Sequence, residues 1–305
     1  MPDSAARTFL KRSRRAARES FSPRGWRLLQ RAVISAYRDN AFGNAKGAAY
    51  SALLAFFPLL ATAATILIRT QAQFISDAVY NFLSEILPPG TQDLVFYYFA
   101  VRGKQPVFVP ITGMAISVWA GSGVMVSLMQ GFHIAYRVPS GRPFVRERLI
   151  AILLVFSAAI PVLFASALIF FGVRAEDWIV GWLGLAPQGE TLRGWVLVLG
   201  KVLRYVISLA AIILGATILY YMGPNRPQSW RRVWPGAVLS TTLGLAATSI
   251  FTWYVRHIAN YNVIYGGIAT VILLLIWMYV LSVIAFIGCE FNAEMEKAET
   301  ERERG

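Results

Sequence analysis

The sequence predicts an all-α membrane protein: a six-transmembrane-helix bundle with both termini cytoplasmic and an external amphipathic helical hairpin between spans one and two. Three observations predict it. The 305 residues are 56% hydrophobic and only 15% charged, against roughly 45–50% apolar in soluble domains. Six apolar windows recur, at 47–68, 107–129, 149–172, 196–221, 236–257 and 267–289, and a bilayer core of about 30 Å needs ~20 helical residues to cross it. Outside those windows Lys and Arg are divided 21 to six between the connections on the two sides, which places the termini in the cytoplasm.

Three segments follow in order: a basic cytoplasmic N-terminal segment (1–40) with an amphipathic helix, the six-helix domain (41–290) and a charged cytoplasmic tail (291–305). The net charge is +13, and eleven Lys/Arg precede residue 47. That is one basic segment and not a basic fold. Trp26, Leu29, Val33 and Tyr37 form an apolar stripe among Arg24, Arg27, Arg31 and Arg38, a pattern suited to an anionic membrane surface. The expected partners are therefore membrane lipids, through anionic headgroups at the basic N-terminus. No nucleic-acid partner is expected, and a homo-oligomer is left open.

Each span is read as a helix because lipid offers the backbone no hydrogen-bond partner. Span one holds Pro58, whose ring removes a main-chain bond and kinks the helix, as a hinge or as a packing feature. Between spans one and two, Ile75, Val79, Phe82, Leu83, Ile86 and Leu87 recur at helical spacing before Pro88-Pro89-Gly90. They predict an external helix, serving as a lid or lying in the interface. A second short helix is predicted from Thr91 to about Val101. In span four, Lys201 and Arg204 share a face near the outer end. They either snorkel to the headgroups or form an anion-attracting mouth. In span five Gly236, Ser240, Gly244, Thr248 and Thr252 recur every fourth residue, predicting a surface for close helix packing.

The chemistry-bearing inventory is thin. The two histidines, His133 and His257, are predicted at opposite membrane faces and cannot share a metal. Cys289 is the sole cysteine, so no internal disulfide or zinc framework forms. No Walker A, G-x-S-x-G or H-E-x-x-H sequence occurs, and none of the six windows contains an Asp for intramembrane proteolysis. The reading is not an enzyme, with no catalytic residues, no metal and no cofactor. The candidate cavity or gate residues are Tyr50, Pro58, Trp119, Lys201, Arg204, Asn260, Tyr265, Gly266, Gly267 and Glu290. Glu290 closes span six at a helix end whose dipole opposes a carboxylate. It is expected to pair with an Arg of the 137–148 or 226–232 connections, or to be solvated at the interface.

Several stretches resemble a known family. GAAYSALLAFFPLL, VWAGSGVMVSLMQGFHIAYRVPSGRPFVRERLIAI, MGPNRPQSWRRVWPGAVLS and NYNVIYGGIATVILLLIWMYVLSVIAFIGCEFNAEM are similar to the YihY/BrkB family of bacterial inner-membrane proteins, over about residues 30–296. The motif positions fall on Tyr50, Pro58, Trp119, Arg142, Pro143, Pro224, Pro235, Gly236, Tyr261, Tyr265, Gly266, Trp277, Gly288, Glu290 and Asn292. His133 departs from the pattern, which has a small polar residue before the Ala-Tyr pair. The resemblance implies a multi-pass, six-helix protein of the inner (cytoplasmic) membrane. It also carries an older ribonuclease label that the residue inventory does not support. The expected role is a transporter or lipid-handling protein with a cavity in the bundle; the alternative is a non-transporting scaffold or envelope-assembly factor.

Overall fold

The structure, a computed structural model, describes residues 23–70, 108–138, 142–182, 190–257 and 267–304. All regular structure among them is helical: α1 (Pro23–Arg38), α2 (Ala41–Thr70), α3 (Phe108–Ala135), α4 (Phe144–Trp182), α5 (Glu190–Met222), α6 (Trp230–His257) and α7 (Gly267–Arg304). Five of these contain segments long and apolar enough to cross a membrane: Ile111–Ala135, Phe144–Ile169, Val198–Met222, Trp230–His257 and Val271–Glu301. The expected first span falls on α2, a 30-residue helix outside those five, whose first turns carry Asn44 and Lys46. The predicted hairpin between spans one and two lies outside the described residues, as do Asn260, Tyr261, Tyr265 and Gly266.

Helix ends differ from the apolar windows in two places that bear on the site. The third window was read from residue 149, yet α4 begins at Phe144, so Arg148 stands within a helix and not in a loop. Similarly, α7 does not stop at the end of its uncharged run but continues to Arg304. The charged tail and the last span are therefore one rod: Glu294, Glu296 and Glu299 meet Ser35, Arg226 and Arg232 outside the helix, and Lys297 pairs with Glu294 within it.

Neighbouring helices pair as α2 with α3, α4 with α5, and α6 with α7; α7 also touches α1, α2 and α3. Most large apolar side chains of α4 to α6 face outward, as Leu163 (60% exposed), Leu199 (68%) and Ile250 (66%) do. In a bilayer those positions meet acyl chains. Hydroxyl groups along the spans are used locally: Thr62, Ser117, Ser166, Thr217 and Ser282 each donate to the carbonyl four residues back, at 2.7–2.8 Å. These donors are satisfied by their own helices, as lipid requires.

Helix α1 begins at a proline, whose fixed φ suits the first helical position. Ala32 and Ala36, one turn apart, are fully buried, while Trp26, Val33, Ile34 and Tyr37 stay exposed. The stripe seen in the sequence is thus left outside, and a narrow alanine face does the docking. Asn40 adopts a left-handed backbone (φ 54°) between α1 and α2, a conformation Asn tolerates better than most residues. Ser35 Oγ donates to Glu294 Oε1 at 3.2 Å, so the N-terminal helix and the end of α7 meet at the same end of the bundle.

Candidate functional site

That shared end is where the buried polar residues gather. Phe132, Tyr220 and Phe286 form its floor, with edge-to-face ring pairs at 5.4 and 5.8 Å. The Tyr220 hydroxyl donates to the Ala285 carbonyl at 2.8 Å, which gives this buried phenol the partner it needs.

Next to this floor, α6 and α7 cross in main-chain contact at Gly236 and Gly288. A Cβ on Gly288 would meet the Gly236 carbonyl oxygen at 2.9 Å and Ser240 Cβ at 2.8 Å. Asn292, 1% exposed, completes the crossing. Its Oδ1 accepts from the Gly236 N–H at 2.7 Å and its Nδ2 donates to the Val233 carbonyl at 2.9 Å. The reason is local: Pro235 interrupts the first turns of α6, and a proline inside a helix displaces the surrounding main-chain bonds. The Asn292 amide supplies replacements from another helix. Further along the stripe, Gly244 has open contact with Leu281, and Thr248 Oγ1 accepts from Trp277 Nε1 at 3.4 Å.

Arg142 ties the α3–α4 connection to the end of α5. Its guanidinium donates to the carbonyls of Met222 (3.2 Å), Gly223 (3.2 Å) and Pro224 (3.3 Å) and to Asn225 Oδ1 (3.1 Å). Those carbonyls lie at and just beyond the C-terminus of α5, where a cation is favoured, and the Pro224 carbonyl also accepts from the Arg226 N–H at 2.9 Å. Burial lowers the Arg142 pKa, and the neighbouring Arg146 charge lowers it further. Arg226 lies over the Tyr136 ring at 4.0 Å and pairs with Glu296. Burial raises the Tyr136 phenol far above its ordinary range, with Cys289 adding to the effect.

Glu290 does not take the partner expected for it. Arg226 and Arg232 pair with Glu296, and Arg232 also with Glu299, beyond Glu290 along α7; Arg142 is engaged with carbonyls. Glu290 is 2% exposed, lies beside the side chain of Asp39 in the α1–α2 connection, and leaves Oε2 without a hydrogen-bond partner among the described residues. This is neither an ion pair with those arginines nor a solvated carboxylate. Glu294, one turn on, takes Ser35 and Lys297.

The other sequence candidates do not converge here. Tyr50 is 61% exposed and Trp119 57%, while Pro58 lies within α2 and Gly267 is the first residue of α7. Lys201 is exposed, whereas Arg204, one turn later, is 9% exposed and directs Nη1 toward the Ile169 carbonyl at 3.5 Å. The two therefore sit in different surroundings, one exposed and one against α4. Asn292 and Arg142 were noted only through the family resemblance, and no local spacing announces their roles. Among the described residues no group of three or more His, Cys, Asp or Glu is placed to hold a metal ion.

Long apolar helices, outward apolar faces and polar groups gathered at one end define a multi-pass α-helical membrane protein. The chain belongs to the virulence factor BrkB family, whose model matches residues 33–305. It is similar to ribonuclease-like protein YfkH of Bacillus subtilis (27% identical; 84% of this chain, 90% of that one). Two further relatives, both called UPF0761 membrane proteins, come from Tolumonas auensis (25% identical; 81% of this chain, 78% of that one) and Pseudoalteromonas translucida (26%; 84% and 81%). No solved structure matches. The relatives' names are consistent with the multi-pass membrane protein that the five long apolar helices define, and the family description carries no catalytic class.

Proposed function

We propose that the protein is a transport or lipid-handling protein of the bacterial inner membrane, built as six spans around a cavity with both termini in the cytoplasm, and that it is not an enzyme. The observation that carries this reading is the buried Glu290 carboxyl, which forms no ion pair among the described residues and keeps one oxygen without a hydrogen-bond partner there. Ionisable groups sealed into a membrane bundle are costly, and they persist chiefly where ions or polar substrates pass. Arg204, inside the apolar segment of α5, adds a second such group. Helical spans suit the inner membrane, since outer-membrane proteins close as barrels. The exposed Trp26, Ile34 and Tyr37 of α1, with Arg27, Arg31 and Arg38 exposed beside them, support contact with anionic headgroups.

The test is a high-resolution structure in lipid nanodiscs. Ordered lipid or solute density inside the bundle, touching Arg204 or Glu290, is the expected result. A fully packed interior would overturn the reading and leave a scaffold or envelope-assembly factor.

Orientation is tested separately. Cysteines introduced singly at 70–106 should react with an impermeant thiol reagent from outside intact spheroplasts, and cysteines at 226–232 only after lysis. The reverse pattern would sink the cytoplasmic assignment.

A further inference from the structure

Arg148 lies inside the apolar segment Phe144–Ile169 of α4, about one turn past its first residue. The guanidinium stacks over the Trp119 indole, 4.1 Å from the ring centre, and Nη2 donates to the Trp119 carbonyl at 2.8 Å. That carbonyl also accepts from Ser122 Oγ at 2.7 Å. Trp119 belongs to the apolar segment Ile111–Ala135 of α3 and is 57% exposed on its outer surface. An arginine is thus held on an aromatic face at the outside of two membrane helices.

A guanidinium has five N–H donors and a permanent charge. Among the described residues the protein accepts one of them, Arg148 Nε is buried without a partner, and no carboxylate pairs with the charge. What completes such a site must come from the surroundings. The apolar rim is formed by Val145 (67% exposed), Leu149 (62%) and Leu153 (52%) of α4 and Ile116 (56%) of α3. The ligand should therefore present two anionic oxygens to a planar fork and lay hydrocarbon beside it.

We propose that Arg148 and Trp119 form a binding site for the phosphodiester of a membrane phospholipid, whose acyl chains lie along α3 and α4 at Ile116, Leu149 and Leu153. The indole shields one face of the guanidinium by a cation–π contact, and the phosphate takes the free edge. This site is on the outer surface and needs no cavity, so it stands or falls separately from the function proposed above.

Lipid binding to the purified full-length protein is measured by native mass spectrometry from neutral detergent, with phosphatidylethanolamine as probe. That lipid has no net charge, so the basic α1 contributes little. Arg148→Gln should weaken binding roughly ten-fold, the loss expected for charged hydrogen bonds. Trp119→Ala should weaken it by a smaller factor. Arg148→Lys keeps the charge without the fork and should also bind less well, which preserves the test if the glutamine variant fails to fold. Equal lipid affinity in wild type, Arg148→Lys and Trp119→Ala overturns the proposal. Equally decisive against it would be inorganic phosphate displacing the lipid at matched concentration, since the site would then select a soluble anion.

Discussion

Gly288→Val is expected to unfold the bundle at the temperature where the wild-type protein is stable, read as loss of the monodisperse detergent-solubilised species. A Cβ at this position would lie 2.5 Å from the Tyr220 hydroxyl oxygen, 2.8 Å from Ser240 Cβ and 2.9 Å from the Gly236 carbonyl oxygen. Overpacking a core ordinarily costs about 1–3 kcal/mol. Here the main chain of a second helix is among the obstructions, and a helix cannot swing aside as a flexible side chain does. The expected cost is therefore at or above about 3 kcal/mol for valine, with a smaller drop in melting temperature for Gly288→Ala. Gly244→Ala, on the α6 stripe that includes Gly236, is the control: its nearest neighbour is Leu281 Cδ2 at 3.8 Å, an ordinary contact. It should melt with the wild type or slightly above it, because alanine favours helix over glycine by about 1 kcal/mol. Equal losses at both positions would mean that close approach is not what the glycines provide.

Glu290 separates two accounts of the same carboxylate. If it paired with a buried arginine, Glu290→Gln would strand that charge and cost about 3–5 kcal/mol. The structure sets it beside Asp39 and not in an ion pair with Arg226 or Arg232, so glutamine, of the same shape, can donate its amide N–H to the Asp39 carboxylate. The expected change in stability is then within about 1 kcal/mol. Glu290→Ala is different, because it empties a site that is 2% exposed and should cost about 2–5 kcal/mol, as other buried truncations do. Chemical denaturation of the three proteins in one detergent checks the order. A large loss from Glu290→Gln would restore the ion pair.

Much of the architecture was legible before any coordinates. Desolvation of the backbone makes an uncharged run such as 267–289 helical wherever it sits in lipid, and α7 contains that run. The spacing of Gly236, Ser240 and Gly244 places them on one face, since residues four apart lie one above the other on a helix. The basic amphipathic pattern of α1 was equally visible. The Asn260 to Gly266 entry to the last span lies outside the described residues and adds nothing to the comparison.

The sequence by itself determined the helical membrane class, the place of five long apolar helices along the chain and the face on which small residues lie, because these follow from local hydropathy and from a period of 3.6 residues. It could not determine which polar group meets which. Asn292 meets Gly236 across 56 positions, Arg142 meets Met222 across 80, and Arg226 meets Glu296 across 70. Glu290 reaches back to Asp39 near the start of the chain. Periodicity fixes the direction of a side chain around its own axis and carries no information about the neighbour brought there. That choice was made only when α1, α5, α6 and α7 packed at one end, where buried donors and acceptors must find partners in the protein because water is excluded.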